Sequence, residues 1–346
     1  MEVHQFSDPL VFETPTVATL GTFDGLHLGH QKIITDVVEE AGKRAGESVV
    51  VTFDRHPAEL LRPESVPYFL SSFEDKVSLI ADCGIDHLLV LPFDKEESER
   101  SATDFVKKVF LGKLSVDLLI VGHDVHFGNN REGNFAFLEQ ASKEFDFEVR
   151  RIDPVMLSEE DSEAISSTAI RRALRGGEVE SAMQMLGRPY SISGEVVYGD
   201  QRGRTIGFPT ANLVLSSERA WPADGVYSGI FTRADGSEHL CAINVGRRPT
   251  FYEHANTSLL EAHLLDFDDD LYGEICEVAF LHFLRSEKRF DGIDSLVEQL
   301  NDDVAKTRSL LTYDSLAKRL FLLFELLFIL IKLYLGQTIR PWPWKV

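Results

Sequence analysis

The stretch that decides the fold is Leu20–Lys32, LGTFDGLHLGHQK. An apolar run, Val17–Leu20, gives way there to a helical pattern, and His27 and His30 flank Gly29. A strand that turns into a helix offers unpaired backbone N–H groups at the positive end of the helix dipole, a natural seat for phosphate. Gly21, Gly25 and Gly29 clear side chains from where the backbone must approach a ligand closely. Histidines three residues apart in a helix's first turn can address one anion and donate to oxygens that gain charge in a transition state. HxGH alone equally describes an ordinary corner with two solvated histidines. TFDG directly before it tips the reading to a nucleotide site.

The totals suit two soluble domains. A chain of 346 residues, 44% apolar and 26% charged, can bury two cores. A formal charge of −21 excludes a general nucleic-acid binder, which needs a basic face, yet allows a Mg-nucleotide held by local cations and helix ends. Cys83, Cys241 and Cys276 stand far apart and read as reduced thiols. The opening MEVHQFSDPL has no basic segment followed by an apolar core, so the expected compartment is the cytoplasm.

The first half alternates short β runs (Val17–Leu20, Ser48–Phe53, His87–Leu91, Leu118–Val121) with amphipathic helices, which implies a parallel sheet with ligands at the carboxyl ends of its strands. The chemical strings fall at those ends: DRHP after the second run and GHDVHFGNNREGN after the fourth. The latter, Gly122–Asn134, reads on composition as a solvated loop or as a donor-rich ligand loop. ISSTAIRRAL, Ile165–Leu174, opens a helix with the N-cap types Ser166, Ser167 and Thr168, followed by Arg171 and Arg172. It fits a capped surface helix, or a phosphate clamp of hydroxyls, N–H groups and a guanidinium.

The pattern changes across Arg175–Pro189. Beyond it Ser191–Tyr198, Gly225–Thr232, Leu240–Val245, Leu259–Leu265 and Glu274–Phe283 are β-like, and helical periodicity returns only at Ile293–Leu311. A small antiparallel barrel closed by a helix is expected. GDQRGRTIGFPTANL, Gly199–Leu213, combines turn glycines, Arg202 and Arg204, and a rigid Pro209 before Thr210 and Asn212. Two oxygen-bearing side chains two apart on an extended segment face one way, as a shared metal or a capped hairpin requires.

GTFDGLHLGH resembles the ATP-binding signature of HxGH nucleotidyltransferases, and specifically the bacterial bifunctional riboflavin kinase/FMN adenylyltransferase family. The resemblance implies a Rossmann-like α/β adenylyltransferase domain over residues 1–186 and a riboflavin kinase barrel over 187–311. In the first, Gly21, Phe23, Asp24 and Gly29 belong to the ATP signature. Asp124 matches the GxDFxFG position, with Val125 in place of the usual aromatic, and Ser166, Ser167, Thr168 and Arg171 match ISSTxIR. His27, His30 and Arg171 are then assigned to neutralising charge as FMN phosphate attacks the α-phosphorus of ATP and pyrophosphate leaves. In the second, the string matches GxxxGRxxGFPTAN, so Gly203, Arg204 and Gly207 shape the site and Thr210 and Asn212 hold Mg2+ and ATP. By the same resemblance Glu261 is the base for the 5′-hydroxyl of riboflavin. NVGRRPT, EAHLLDFDDDLYG and FLRSEKRF extend the match in order; DFDDD reads as a solvated turn. The alternatives are an HxGH transferase with another phosphorylated acceptor, and a flavin-binding regulator without turnover.

Residues 312–346 lie outside that resemblance. Leu320–Leu335, LFLLFELLFILIKLYL, is apolar on nearly every helical face, with basic and Trp flanks. At 16 residues with Glu325 inside, it is short of a comfortable span. A membrane contact, a helix against the protein or a partner subunit, and appended non-native sequence all fit. The tail is expected to be dispensable for catalysis.

Overall fold

Thr16–Leu20 (TVATL) is buried at every position, as β-branched and small residues are when a parallel strand is covered on both faces. It lies at the centre of the first of two compact units in a computed structural model. That unit comprises Met1–Ile192 with Leu215–Ala223; the second comprises Ser193–Val214 and the described residues from Asp224 to Leu311. The structure describes residues 1–158, 163–199, 201–216, 218–246 and 259–311. The apolar tail and most of NVGRRPT fall outside them.

In the first unit six strands, β1 (Glu2–Gln5), β2 (Thr16–Leu20), β3 (Glu47–Phe53), β4 (His87–Leu91), β5 (Val116–Gly122) and β6 (Glu148–Ile152), form one parallel sheet in the order β1-β4-β3-β2-β5-β6. The helices are α1 (Leu28–Lys43), α2 (Pro57–Leu61), α3 (Phe73–Asp82), α4 (Lys95–Glu99), α5 (Ala102–Phe105, prolonged by a π turn over Val106–Leu111), α6 (Phe135–Phe145), α7 (Ser167–Arg175) and α8 (Val179–Leu186). Period-2 alternation splits each central strand between two cores. Val49, Val51 and Leu89 join Phe105, Phe110 and Leu138 on one face, while Val50, Leu88 and Val90 join Ile34 and Val37 of α1 on the other. This is the parallel α/β sheet expected, with helices against both faces. Strand order reverses between β2 and β5, and the crevice at the carboxyl ends of such a pair is where ligands bind.

Within this sheet two strands were not legible in the sequence. EVHQ and EVRRI are edge strands with mostly exposed or half-buried side chains, so they lack the apolar run that marks a central strand.

The second unit is a closed barrel of β7 (Tyr190–Val197), β8 (Ala211–Val214), β9 (Gly225–Thr232), β10 (Glu238–Gly246), β11 (Leu259–Leu264) and β12 (Ile275–Arg285), in the order β10-β11-β8-β7-β12-β9. A one-turn helix, α9 (Arg202–Thr205), precedes β8, and α10 spans 293–311. Cys241, Ile243 and Val245 from β10 and Leu260, Ala262 and Leu264 from β11 alternate inward to meet Tyr227, Phe231 and Phe280. Among the described residues no helix is long and apolar enough to cross a membrane.

Candidate active sites

The carboxyl end of β2 leads through seven residues into α1, and His27 is the N-cap of that helix. Its Nδ1 accepts the backbone N–H of His30 at 3.4 Å, filling the role Ser or Asp usually has. An accepting Nδ1 puts the ring proton on Nε2, so His27 retains one N–H to donate. The two imidazoles stack at 3.6 Å and 20°, and the Phe23 ring meets His30 edge-on at 5.2 Å. Burial pushes His27 down to about 4; Arg171 and Arg188 act in the same direction and Asp124 against it. Burial, then the neighbouring His27, holds His30 well below its ordinary value. Both rings are therefore neutral at pH 7. Nδ1 of His30 is buried without a hydrogen-bond partner.

The loop is bent to make this corner. Phe23 (φ 50°) and Leu26 (φ 38°) take left-handed backbone that costs an ordinary residue energy, a feature that gathers at functional sites. Five side chains hold it there. The buried Asp24 carboxylate accepts the N–H groups of Leu70 (2.9 Å) and Ser71 (3.2 Å) and pairs with Arg171. Arg171 Nε donates to the Tyr68 carbonyl at 2.6 Å, and Ser167 Oγ to the Asp24 carbonyl at 2.9 Å. Arg188 and Gln31 donate to the Gly25 and Leu26 carbonyls at 2.8 Å each. Sequence reading assigned no part to these last two, because Arg188 belongs to a linker-like LGRP and Gln31 to an ordinary helix turn.

The other predicted residues gather unevenly. Ser166 caps α7, accepting the Ala169 N–H at 3.2 Å, and Thr168 is exposed. A Cβ on Gly29 would lie 3.1 Å from the His27 ring and 3.9 Å from the Ile165 carbonyl, so the starts of α1 and α7 adjoin. A Cβ on Gly21 would meet the Phe23 ring at 2.9 Å. Asp124 is exposed on the loop after β5, close enough to His27 to act on its charge. Beside Asp24 opens a cavity of about 330 Å³ lined by Thr22, Asp54, His56 and Lys76 among others. Burial lowers Lys76 to about 8, against the pull of Asp24 and Asp54. Nothing in the sequence of α3 distinguishes Lys76 from a surface lysine.

In the barrel, a cavity of about 590 Å³ is lined by Gly203, Thr210, Asn212 and Glu261; Arg204 and Gly207 do not line it. Asn212 on β8 pairs with Glu261 on β11, and Glu261 pairs with Asn244 on β10. Asn212 is buried, and its Nδ2 donates to the Thr210 carbonyl at 3.3 Å. A Cβ on Gly199 would stand 2.5–2.6 Å from the Asn212 amide, so glycine there lets the amide lie against the backbone. Asn244, Arg285 and Arg289 also line the cavity, all three inside strings already quoted and none distinguishable there as a lining residue. Asp303 of α10 receives Arg285 Nε at 3.0 Å and Nη2 at 2.7 Å, a forked pair that fixes this wall. DFDDD is a turn: Asp269 and Asp270 accept nearby backbone N–H groups, and Asp266 pairs with Arg308.

Comparison with known proteins follows this division. The FAD synthetase family model matches residues 11–169 and the riboflavin kinase family model residues 186–311. A Haemophilus influenzae protein named bifunctional riboflavin kinase/FMN adenylyltransferase is 37% identical over 291 residues, 84% of this chain and 92% of its own length. A Listeria monocytogenes protein of the same name is 39% identical over 295 residues, 85% and 91% of the two chains. A solved Streptococcus pneumoniae structure, described as a macrolide-efflux protein, superposes with a TM-score of 0.79 at 31% identity, over 88% of this chain and 98% of that one. With both halves matched in order and relatives aligned along most of its length, the chain belongs to the bifunctional riboflavin kinase/FMN adenylyltransferase family.

Proposed function

We propose that this enzyme converts riboflavin and ATP to FMN in the barrel, and FMN and a second ATP to FAD and pyrophosphate in the α/β unit. The observation that carries the reading is that the two family matches follow one another along the chain, the first on the α/β sheet and the second over the barrel, and that each of the two has a pocket.

In the α/β unit no protein nucleophile is needed, because FMN phosphate itself attacks the α-phosphorus; the site aligns two anions and meets developing charge. His27, through its Nε2–H, and His30 are the donors assigned to that charge. Burial keeps both imidazoles neutral, so they act by oriented hydrogen bonds rather than as fixed cations. The Ser166–Thr168 turn offers hydroxyls and N–H groups to the triphosphate. Arg171 and Asp24 hold the loop through their ion pair, and Arg171 reaches phosphate only as far as that pair and the Tyr68 carbonyl allow. Lys76 and His56 line the cavity beside Asp24, which His27 and His30 do not line, and would be the groups to receive an acceptor phosphate there.

In the barrel Glu261 takes the proton of the riboflavin 5′-hydroxyl as it attacks the γ-phosphorus of ATP, and ADP leaves. Thr210 Oγ1 and Asn212 Oδ1 are hard oxygen donors lining one cavity, the chemistry Mg2+ prefers, and would hold that ion. Bound there, Mg2+ would supply neutralisation of phosphate charge. Gly203 shapes the turn ahead of Thr210; Arg204 and Gly207 belong to the same turn. The three cysteines are free thiols, in keeping with a reducing cytoplasm. No step uses residues 312–346. Incubating the protein with riboflavin and Mg-ATP tests the proposal: chromatography finds FMN, then FAD with pyrophosphate, whereas riboflavin left unchanged contradicts it.

A further inference from the structure

We propose that Glu2, His4 and His87 form a binding site for one transition-type divalent cation, zinc being the best match, at the amino end of the parallel sheet. Strand β1 pairs with β4 in the register Glu2↔His87, and Glu2 and His4, two apart, share one face of β1. The pairing brings three donor atoms together. His4 Nε2 lies 3.1 Å from His87 Nδ1, and Glu2 Oε2 lies 3.7 Å from the former and 3.9 Å from the latter. Three atoms so spaced lie on a circle of about 2.1 Å radius, so a single point stands at zinc–nitrogen and zinc–carboxylate bonding distance from all three.

A second feature is independent of that spacing. His87 Nε2 faces Glu47 Oε2 at 3.3 Å. A ring whose Nε2–H is given to a carboxylate presents a bare Nδ1, and a carboxylate behind the far nitrogen is what orients metal-bound imidazoles. The Phe12 ring stands edge-on to His87 at 5.2 Å and walls one side. The side chains of His4 and His87 are 17% and 16% exposed and that of Glu2 75%, so an ion can enter from the Glu2 side. Two imidazoles and one carboxylate select zinc-like ions over magnesium.

Glu2 and His87 begin their strands, whereas the phosphate-binding loop follows a carboxyl end, so the ion serves structure rather than chemistry. It would staple a four-residue edge strand to its neighbour. The plain alternative is a histidine–histidine hydrogen bond with no ion.

The test uses the full, tag-free chain, stripped of metal and titrated with Zn2+ against a chromophoric chelator, with Co2+ as a spectroscopic probe. One site is expected. Affinity should fall roughly tenfold or more in His4→Ala and in Glu2→Gln, and about 10–100-fold in Glu47→Gln, which touches no metal. The d–d bands of bound Co2+ should fade with the same variants. Glu2 is exposed, so Glu2→Gln leaves the fold intact, and Zn2+ should raise the melting temperature of wild type but not of His4→Ala. Equal Zn2+ affinity in wild type, Glu2→Gln and His4→Ala, or no wild-type binding at micromolar Zn2+, overturns the proposal.

Discussion

Glu261 stands directly across from Asn212 in the antiparallel pairing of β11 with β8. Cross-strand partners share a face, with Cβ atoms about 4.5–5.5 Å apart. Asn244 extends the row on β10. A carboxylate and two amides are thus set side by side by sheet register, without a mobile loop to position them.

The proposed function gives the kinase proton transfer to Glu261. Glu261→Gln should lower the rate of FMN formation about 10²–10⁴-fold, the usual worth of a general base. Conversion of supplied FMN to FAD should stay at the wild-type rate. Separate assays with riboflavin and with FMN read the two steps.

Gly199 gives a subtler probe of the same row. Gly199→Ala puts a methyl group 2.5 Å from the Asn212 amide, so that side chain must swing away. FMN formation should weaken, with a higher Mg2+ requirement, while circular dichroism and FAD formation from FMN remain unchanged. Normal Mg2+ dependence in this variant would argue against Asn212 as a metal ligand.

His30 carries the converse expectation. His30→Ala removes a hydrogen-bond donor from the phosphate loop, and loss of one such donor costs about 10²–10³ in kcat. FMN should accumulate from riboflavin with little FAD. Loss of both activities in a folded variant would count against the division of labour.

Stability should depend on pH through His27. Its value falls from 6.5 in the unfolded chain to about 4 in the folded one, so only the unfolded chain takes a proton between those limits. Stability is therefore complete above pH 6.5 and declines as pH falls toward 4, by on the order of 3 kcal/mol from this group. His30, shifted in the same direction, adds to the decline. His27→Asn keeps an N-cap acceptor but does not titrate. Urea midpoints at pH 7 and 5 should differ less in that variant than in wild type; superimposable profiles would rule His27 out as the source.

The sequence made the architecture readable where side chains report burial. TVATL and SVVVTF announce central strands because both faces are covered, and in the barrel β10 shows the alternation of a half-covered strand. EVHQ and EVRRI are strands only because a neighbour offers an edge, a fact their composition does not carry. At the loop after β2 the motif named residues that the fold brings together, but not the Asp24–Arg171 pair, formed across 147 positions, that holds the loop in shape. Lys76 and Arg188 were invisible for the same reason. Their roles come from tertiary burial and from carbonyls turned outward by a bent backbone, not from local pattern.

The central claim is that two independent sites act in series, and mixing two defective proteins tests it most directly. Glu261→Gln alone should leave riboflavin untouched, and His30→Ala alone should stop at FMN. Equimolar amounts of both, with riboflavin and Mg-ATP, should restore FAD and pyrophosphate, because FMN released by one serves the other. If the mixture makes no FAD although each variant is folded and retains its single activity, the two reactions are not separable and the account is wrong.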